Sequence, residues 1–168
     1  MSNRVLLLTC AASLLSLSTP ARCAQIDWWR TNGAAVVEHQ YDGGGVVCSL
    51  FLYNKDLAAV VTWGKTDTKE ISFYDDDWRF PADQVVSVGV RIGAGWLGNP
   101  SDRAPPILMA VGGSGRLSVP ISLSVDDLLR TAAQITLRLN NGQMSIDIDQ
   151  HKMPVLLTAV ERCRASLK

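Results

Sequence analysis

A two-residue alternation of apolar and polar side chains runs through the first half of this 168-residue chain and limits what it can fold into. Turn-forming residues separate the segments that show it, which are 34–40, 45–53, 57–63, 68–74 and 86–92. Successive side chains of a β-strand point to opposite faces of its sheet, so this period predicts strands with one buried face. The alternation therefore predicts a β-rich domain.

The second half of the chain predicts further strands and two helices. We predict short strands at 107–111 and 116–121 with a flexible glycine-rich turn at 112–115 between them. Apolar residues then recur at helical spacing over 125–133, which predicts a short amphipathic helix. Two alternating segments flank an Asn-Asn-Gly turn within 135–148 and predict a hairpin.

Two cysteines lie at inward-facing positions of segments that are far apart in the sequence. Within 154–167 the apolar residues recur at helical spacing, and Cys163 lies on their face of the predicted helix. Cys48 shares the apolar face of the predicted strand 45–53. We predict a Cys48–Cys163 disulfide, with two buried free thiols as the alternative. The predicted fold is mainly β, a single-domain β-sandwich or curved antiparallel sheet with a short internal helix and a disulfide-tethered C-terminal helix.

The N-terminal residues predict export, which makes a disulfide possible. Arg4 precedes an apolar run at 5–17 and then small residues, as in a secretory signal peptide. Cleavage could follow any of three residues, Ala21, Cys23 or Ala24. A cut at Cys23 or later leaves an even number of cysteines, so we divide the chain into a signal peptide, 1–24, and one exported domain, 25–168. A lipid anchor on Cys23 is the alternative.

The charge balance excludes some classes of partner. Sixteen basic and sixteen acidic residues give a net charge of zero, and no stripe of basic residues stands out. Nucleic acids and anionic membrane surfaces bind proteins that concentrate positive charge, so we predict neither partner. A membrane-spanning helix needs about 20 apolar residues, and the chain after the signal has no such run. We therefore predict a periplasmic or secreted protein with no integral membrane segment.

The sequence offers no motif for catalysis, a metal or a cofactor. Three consecutive aspartates, 75–77, lack the spacing of a calcium loop and are better explained as a solvated turn in which their side chains bond local backbone. The glycines of 93–98 match a dinucleotide motif in spacing, but asparagine and proline follow them instead of a helix. Only two histidines are present, His39 and His151. We name no catalytic residue, metal or cofactor.

Four apolar residues are the candidate ligand-binding residues. Trp28 and Trp29 form either an exposed patch or a plug on the core, and Trp96 and Leu97 lie in a long segment without period. Long loops in compact domains often carry binding function. We predict a non-enzymatic binding module for an unknown protein or envelope glycan. The alternatives are an envelope glycan hydrolase that uses two carboxylates and a structural component of the envelope.

Several features together resemble a group of small exported bacterial proteins. They are the signal peptide, the early Cys48, the Trp78-Arg79-Phe80-Pro81 segment before a valine-rich strand, the hairpin, and a terminal helix that carries Cys163. This arrangement resembles small exported proteins of alphaproteobacteria, some of them grouped with the invasion-associated locus B family. The resemblance implies a periplasmic or secreted β-sandwich without known catalysis, and it assigns no functional residue.

Overall fold

A computed structural model describes residues 25–40, 45–81, 83–97, 108–121, 124–140 and 142–167. The predicted signal peptide, 1–24, lies outside them. The described residues form ten strands and two helices: β1 (Ile26–Thr31), β2 (Ala34–Gln40), β3 (Val46–Tyr53), β4 (Ala58–Trp63), β5 (Thr68–Arg79), β6 (Val85–Ile92), β7 (Gly95–Trp96), β8 (Leu108–Pro120), α1 (Asp126–Thr131), β9 (Gln134–Leu139), β10 (Gly142–Asp147) and α2 (Met153–Ser166). Among these residues, no helix is long and apolar enough to cross a membrane.

The strands form one open antiparallel sheet in the order β1-β2-β3-β4-β5-β8-β6-β9-β10, with the short β7 paired to β6. The first five strands follow the chain as a meander. Strand β8 joins the two halves, because its residues 116–120 pair with β5 and its residues 108–111 pair with β6. The fold class predicted from the sequence is confirmed.

One hydrophobic core unites the two halves of the sheet and both helices. The alternation seen in the sequence places Cys48, Leu50 and Leu52 of β3 in this core, and the same period holds in the neighbouring strands. Helix α2 packs against β1, β2 and β3. Pro154 lies in its first turn, where a missing backbone N–H costs nothing.

The predicted disulfide is confirmed. Cys48 and Cys163 are joined across a sequence separation of 115 residues, with their Cα atoms 6.0 Å apart. Both residues are completely buried. The bond therefore ties the last helix to the middle of the first meander, from inside the core.

Polar contacts beside the disulfide join the two helices to the sheet. The Asp126 carboxylate of α1 accepts one hydrogen bond from the Trp63 indole of β4, at 2.9 Å, and another from the Arg164 guanidinium of α2, at 3.0 Å. Arg130 of α1 donates to Glu161 of α2 at 2.9 Å. Three elements that are distant in sequence are thus held together at one place.

Two predicted turns are wrong, because strands run through both of them. Strand β5 continues across the three aspartates, and its register with β8 is irregular between Tyr74 and Arg79. The Asp75 carboxylate does bond local backbone as predicted, because it accepts a hydrogen bond from the Asp77 N–H at 2.8 Å. Strand β8 continues through 112–115, where Gly115 has a φ of +71°. Local sequence shows the irregularity at each place but not the partner strand that keeps the chain extended.

Replacing both bridging cysteines, Cys48→Ala with Cys163→Ala, should lower the melting temperature by roughly 10 °C. Opening a loop of this length costs about 4 to 5 kcal/mol in the chain-entropy model, and a domain of this size loses about 2 to 4 °C per kcal/mol. Thermal unfolding without reductant measures the difference in melting temperature. Val155→Ala, at a solvent-exposed position of α2, is the matched control and should leave the melting temperature unchanged. Equal melting of the double variant and the parent protein would contradict the stabilising role of the bond.

Candidate ligand-binding surface

Trp96 differs in its surroundings from the other four tryptophans of the chain, all of which the structure describes. Trp63 and Trp78 are buried in the core, and Trp28 and Trp29 are half-buried and pack against it. Trp96 is also half-buried, but it lies outside the core cluster. The Trp96 indole is therefore the only one of the five that does not contribute to packing of the core.

The two N-terminal tryptophans serve to attach β1. The Trp28 indole N–H donates to the Glu38 carboxylate at 3.0 Å, and the Ser166 hydroxyl at the end of α2 donates to the same carboxylate oxygen at 3.0 Å. Trp29 pairs in register with the buried Val36 of β2. These contacts join β1, β2 and α2, and they agree with the plug interpretation of this pair.

A tight hairpin between β6 and β7 positions Trp96. The turn needs glycine at Gly93, whose φ is +59° and where a Cβ would lie 3.1 Å from the Ala132 Cα. After the turn, the Leu97 N–H donates to the Val90 carbonyl at 2.9 Å. Leu97 is only 1% exposed, so it anchors the hairpin in the core beside Trp96 instead of presenting a surface to a ligand.

Trp96 begins a row of side chains that crosses four strands. Trp96 of β7 pairs in register with Arg91 of β6, Arg91 pairs with Thr136 of β9, and Thr136 pairs with Ser145 of β10. We call these four residues the Trp96 row. Their neighbours along each strand point into the core, so the row lies on the opposite face of the sheet. Strand spacing makes the row roughly 15 Å long.

Contacts along the row hold its side chains in place. The Arg91 guanidinium carbon lies 5.6 Å from the centroid of the Trp96 ring, within cation–π range. The Thr136 and Ser145 hydroxyls are 3.0 Å apart and share a hydrogen bond. The Arg91 Nε is buried and has no hydrogen-bond partner among the described residues. Thr136 itself is completely buried, so the groups of the row that a ligand can reach are the half-buried Trp96 ring, Arg91 guanidinium and Ser145 hydroxyl.

A hydrogen-bonded histidine and serine on another part of the sheet lack access to a substrate. The His39 Nε2 lies 2.9 Å from the Ser49 hydroxyl, which lies 3.0 Å from the Thr62 hydroxyl. The His39 Nδ1 donates to the Gln40 carbonyl oxygen at 3.1 Å, so both ring nitrogens are occupied by neighbours within the sheet. Ser49 is completely buried, so the chain of hydroxyls stabilises the sheet and is not a nucleophilic site.

A cavity of about 130 Å³ near the start of α2 is lined by mixed side chains, among them Asn32, Tyr53, Asp149 and Lys152. Lys152 forms an ion pair with Asp149 at 3.0 Å, and this hydrogen bond holds the pKa of the Asp149 carboxyl below its ordinary value. These two charges are therefore paired with each other, while Asp147, which also lines the cavity, forms no ion pair with a described residue. Within the described ranges, no three metal-binding side chains are grouped closely enough to hold an ion.

Comparison with known proteins supplies no relative from which a site could be carried over. The chain matches no protein-family model, and neither a curated protein nor a solved structure matches it. The resemblance to small exported alphaproteobacterial proteins therefore stays a prediction. The candidate surface depends on the geometry of this chain alone.

Sequence reasoning named Trp96 but missed the other three members of its row. Arg91, Thr136 and Ser145 occupy polar positions of segments whose alternation was recognised, so the sequence indicates that each faces away from the core. Their alignment depends on the pairing of β6 with β9, two strands that are separated in the chain by β7, β8 and α1. No local pattern reports that pairing.

Gly93→Ala should destabilise the hairpin that carries Trp96. A positive φ at a residue with a Cβ costs about 1 to 3 kcal/mol, and the close approach to Ala132 adds to that cost. Chemical denaturation measures the loss. Gly45→Ala is the matched control, because a Cβ there meets no atom within 4 Å, and its free energy of unfolding should change by less than about 0.5 kcal/mol. A Gly93→Ala protein as stable as the parent would refute the assigned turn geometry.

Proposed function

We propose that this protein is an exported, non-enzymatic binding module that holds an envelope glycan on the Trp96 row. The position of Trp96 is the observation that carries the proposal. It is the one tryptophan that neither belongs to the core cluster nor packs against it, and it is aligned with polar side chains across four strands. The amphipathic ring of a half-buried tryptophan suits the apolar face of a sugar ring, while neighbouring polar groups fix the orientation of the sugar.

The chemistry of the row favours holding a ligand over cleaving it. Its polar groups are a guanidinium and two hydroxyls, and the Ser145 hydroxyl is bonded to Thr136 and not to a base. Nucleophilic catalysis needs a base within hydrogen-bond reach of the nucleophile, and glycoside hydrolysis needs a pair of carboxylates. None of these four side chains supplies either requirement. The half-buried Trp96, Arg91 and Ser145 do supply contacts that an extended chain of sugars would need, above the completely buried Thr136.

The disulfide supports a location outside the cytoplasm. Disulfides form and persist in oxidising compartments, including the bacterial periplasm and the extracellular space, and are rare in the cytosol. Cys48 and Cys163 are both fully buried in their bridge, as expected for a structural bond. We therefore place the proposed activity in the periplasm or outside the cell, where envelope glycans occur.

Affinity electrophoresis in gels that contain envelope polysaccharides tests this proposal. We expect the parent protein to be retarded by at least one polysaccharide and Trp96→Ala to lose at least tenfold in affinity, about 1.4 kcal/mol. Tyr53→Ala is the matched control, since Tyr53 is a 38% exposed aromatic residue on β3, in the first half of the sheet. It should be retarded like the parent protein.

Two results would contradict the proposal. The first is a Trp96→Ala protein that is retarded as strongly as the parent, which would move the binding surface elsewhere. The second is the absence of retardation by every polysaccharide, together with recovery of a protein partner that depends on Trp96. That result would keep the surface but change its ligand from a glycan to a protein. Circular dichroism of each variant checks that the fold is retained.

A further inference from the structure

A second arginine lies next to the Trp96 row on the same face. Arg138 follows Thr136 by two residues on β9, so both side chains point away from the core. Because Arg91 pairs with Thr136, Arg138 is the diagonal neighbour of Arg91 on the next strand. Diagonal residues are typically about 7 to 8 Å apart. In the structure the Arg91 guanidinium lies over the Trp96 ring, on the β7 side of β6, so its side chain must turn toward β9 to share a bound group with Arg138.

Neither arginine has an anionic partner in the described part of the chain. Other arginines do, since Arg30, Arg116, Arg130 and Arg164 each form an ion pair with a carboxylate. The register explains the difference. Arg138 lies between Gly89 on β6 and Gln143 on β10, and neither residue carries a charge. Two cations on neighbouring strands of one sheet face repel each other, and an anion bound between them relieves that repulsion.

The described neighbours of Arg91 also include no carboxylate paired with it. Arg91 lies between Trp96 and Thr136, and its Nε is buried without a hydrogen-bond partner in the described residues. The acidic residue of β10, Asp147, pairs with Gln134 and so lies on the opposite side of Thr136 from Arg138. The positive end of the surface thus extends from Arg91 toward Arg138, away from that carboxylate.

We infer that the ligand is an acidic glycan, a chain of uronic-acid sugars whose carboxylate is bound between Arg91 and Arg138 while a sugar ring contacts Trp96. This inference rests on the proposed function of the Trp96 row. A guanidinium presents paired N–H donors that match the two oxygens of a carboxylate, and a charged hydrogen bond is about twice as strong as a neutral one. One sugar unit thereby contacts the Trp96 ring and both guanidinium groups.

Calorimetric titration with matched acidic and neutral oligosaccharides tests the inference. The probes are oligogalacturonate, oligomannuronate and hyaluronan oligosaccharides, each compared with its own methyl ester, which keeps the sugar chain and removes the charge. We expect at least one acid to bind tenfold or more tightly than its ester. That preference should shrink when the salt concentration rises from 50 to 500 mM.

Arg138→Gln should remove the preference without abolishing binding. It should weaken binding of the acid at least tenfold and leave binding of the ester unchanged, because it removes one charged donor and keeps Trp96 and Arg91. The matched control is Arg162→Gln, an exposed arginine of α2 that makes the same change in net charge. Its affinity for the acid should equal that of the parent protein.

The outcomes separate failure of the inference from failure of the proposed function. If acids and esters bind equally and both need Trp96, the glycan surface stands and the acidic ligand is overturned. If Arg138→Gln and Arg162→Gln weaken acid binding equally, the acid is attracted by the net charge of the protein and not by a specific site, and the two-arginine site is overturned. If no acid and no ester binds, and neutral polysaccharides also fail to retard the protein, the proposed function itself is overturned.

Discussion

The covalent bond between Cys48 and Cys163 is the constraint on which the arrangement of this fold depends. It joins the last helix to the third strand of an open sheet, whose end strands are not joined to each other. An open sheet must cover one face to stabilise itself, and α2 covers β1, β2 and β3 from the disulfide side. The hydrogen bonds of Asp126 to Trp63 and Arg164 then fasten α1 beside it.

Fixing the helices on one face decides which side chains are left for other molecules. Once α1 and the core occupy one side of β6 and β9, the alternate residues of those strands must face away. Arg91 and Arg138 stay accessible there, whereas Thr136 between them is completely buried. The Gly93 turn adds Trp96 to that same face. The candidate surface is therefore a consequence of strand period and register, and it needs no loop of its own to bring its members together.

Most of the fold could be predicted from the sequence, because a two-residue period is a local property. The strands around Cys48 and Trp63 were evident in this way, and the inward position of Cys163 was evident from the equally local helical period. The continuity of β8 through Gly115 and of β5 through Asp75 was not, since a partner strand holds those segments extended. The alignment of Trp96 with Arg91 and Thr136 was also out of reach, because it depends on strands that are adjacent in space and distant in sequence.

The most direct test of the account is an amide NMR titration of the disulfide-bonded domain, 25–168, with the tightest-binding acidic oligosaccharide. The account predicts that the shifted signals map to β6, β7, β9 and β10, led by the Trp96 indole and the amides of Arg91, Thr136 and Arg138. Shifts confined to α2 and β1–β3, with the Trp96 indole unchanged, would contradict it, because they would place the ligand on the other half of the molecule.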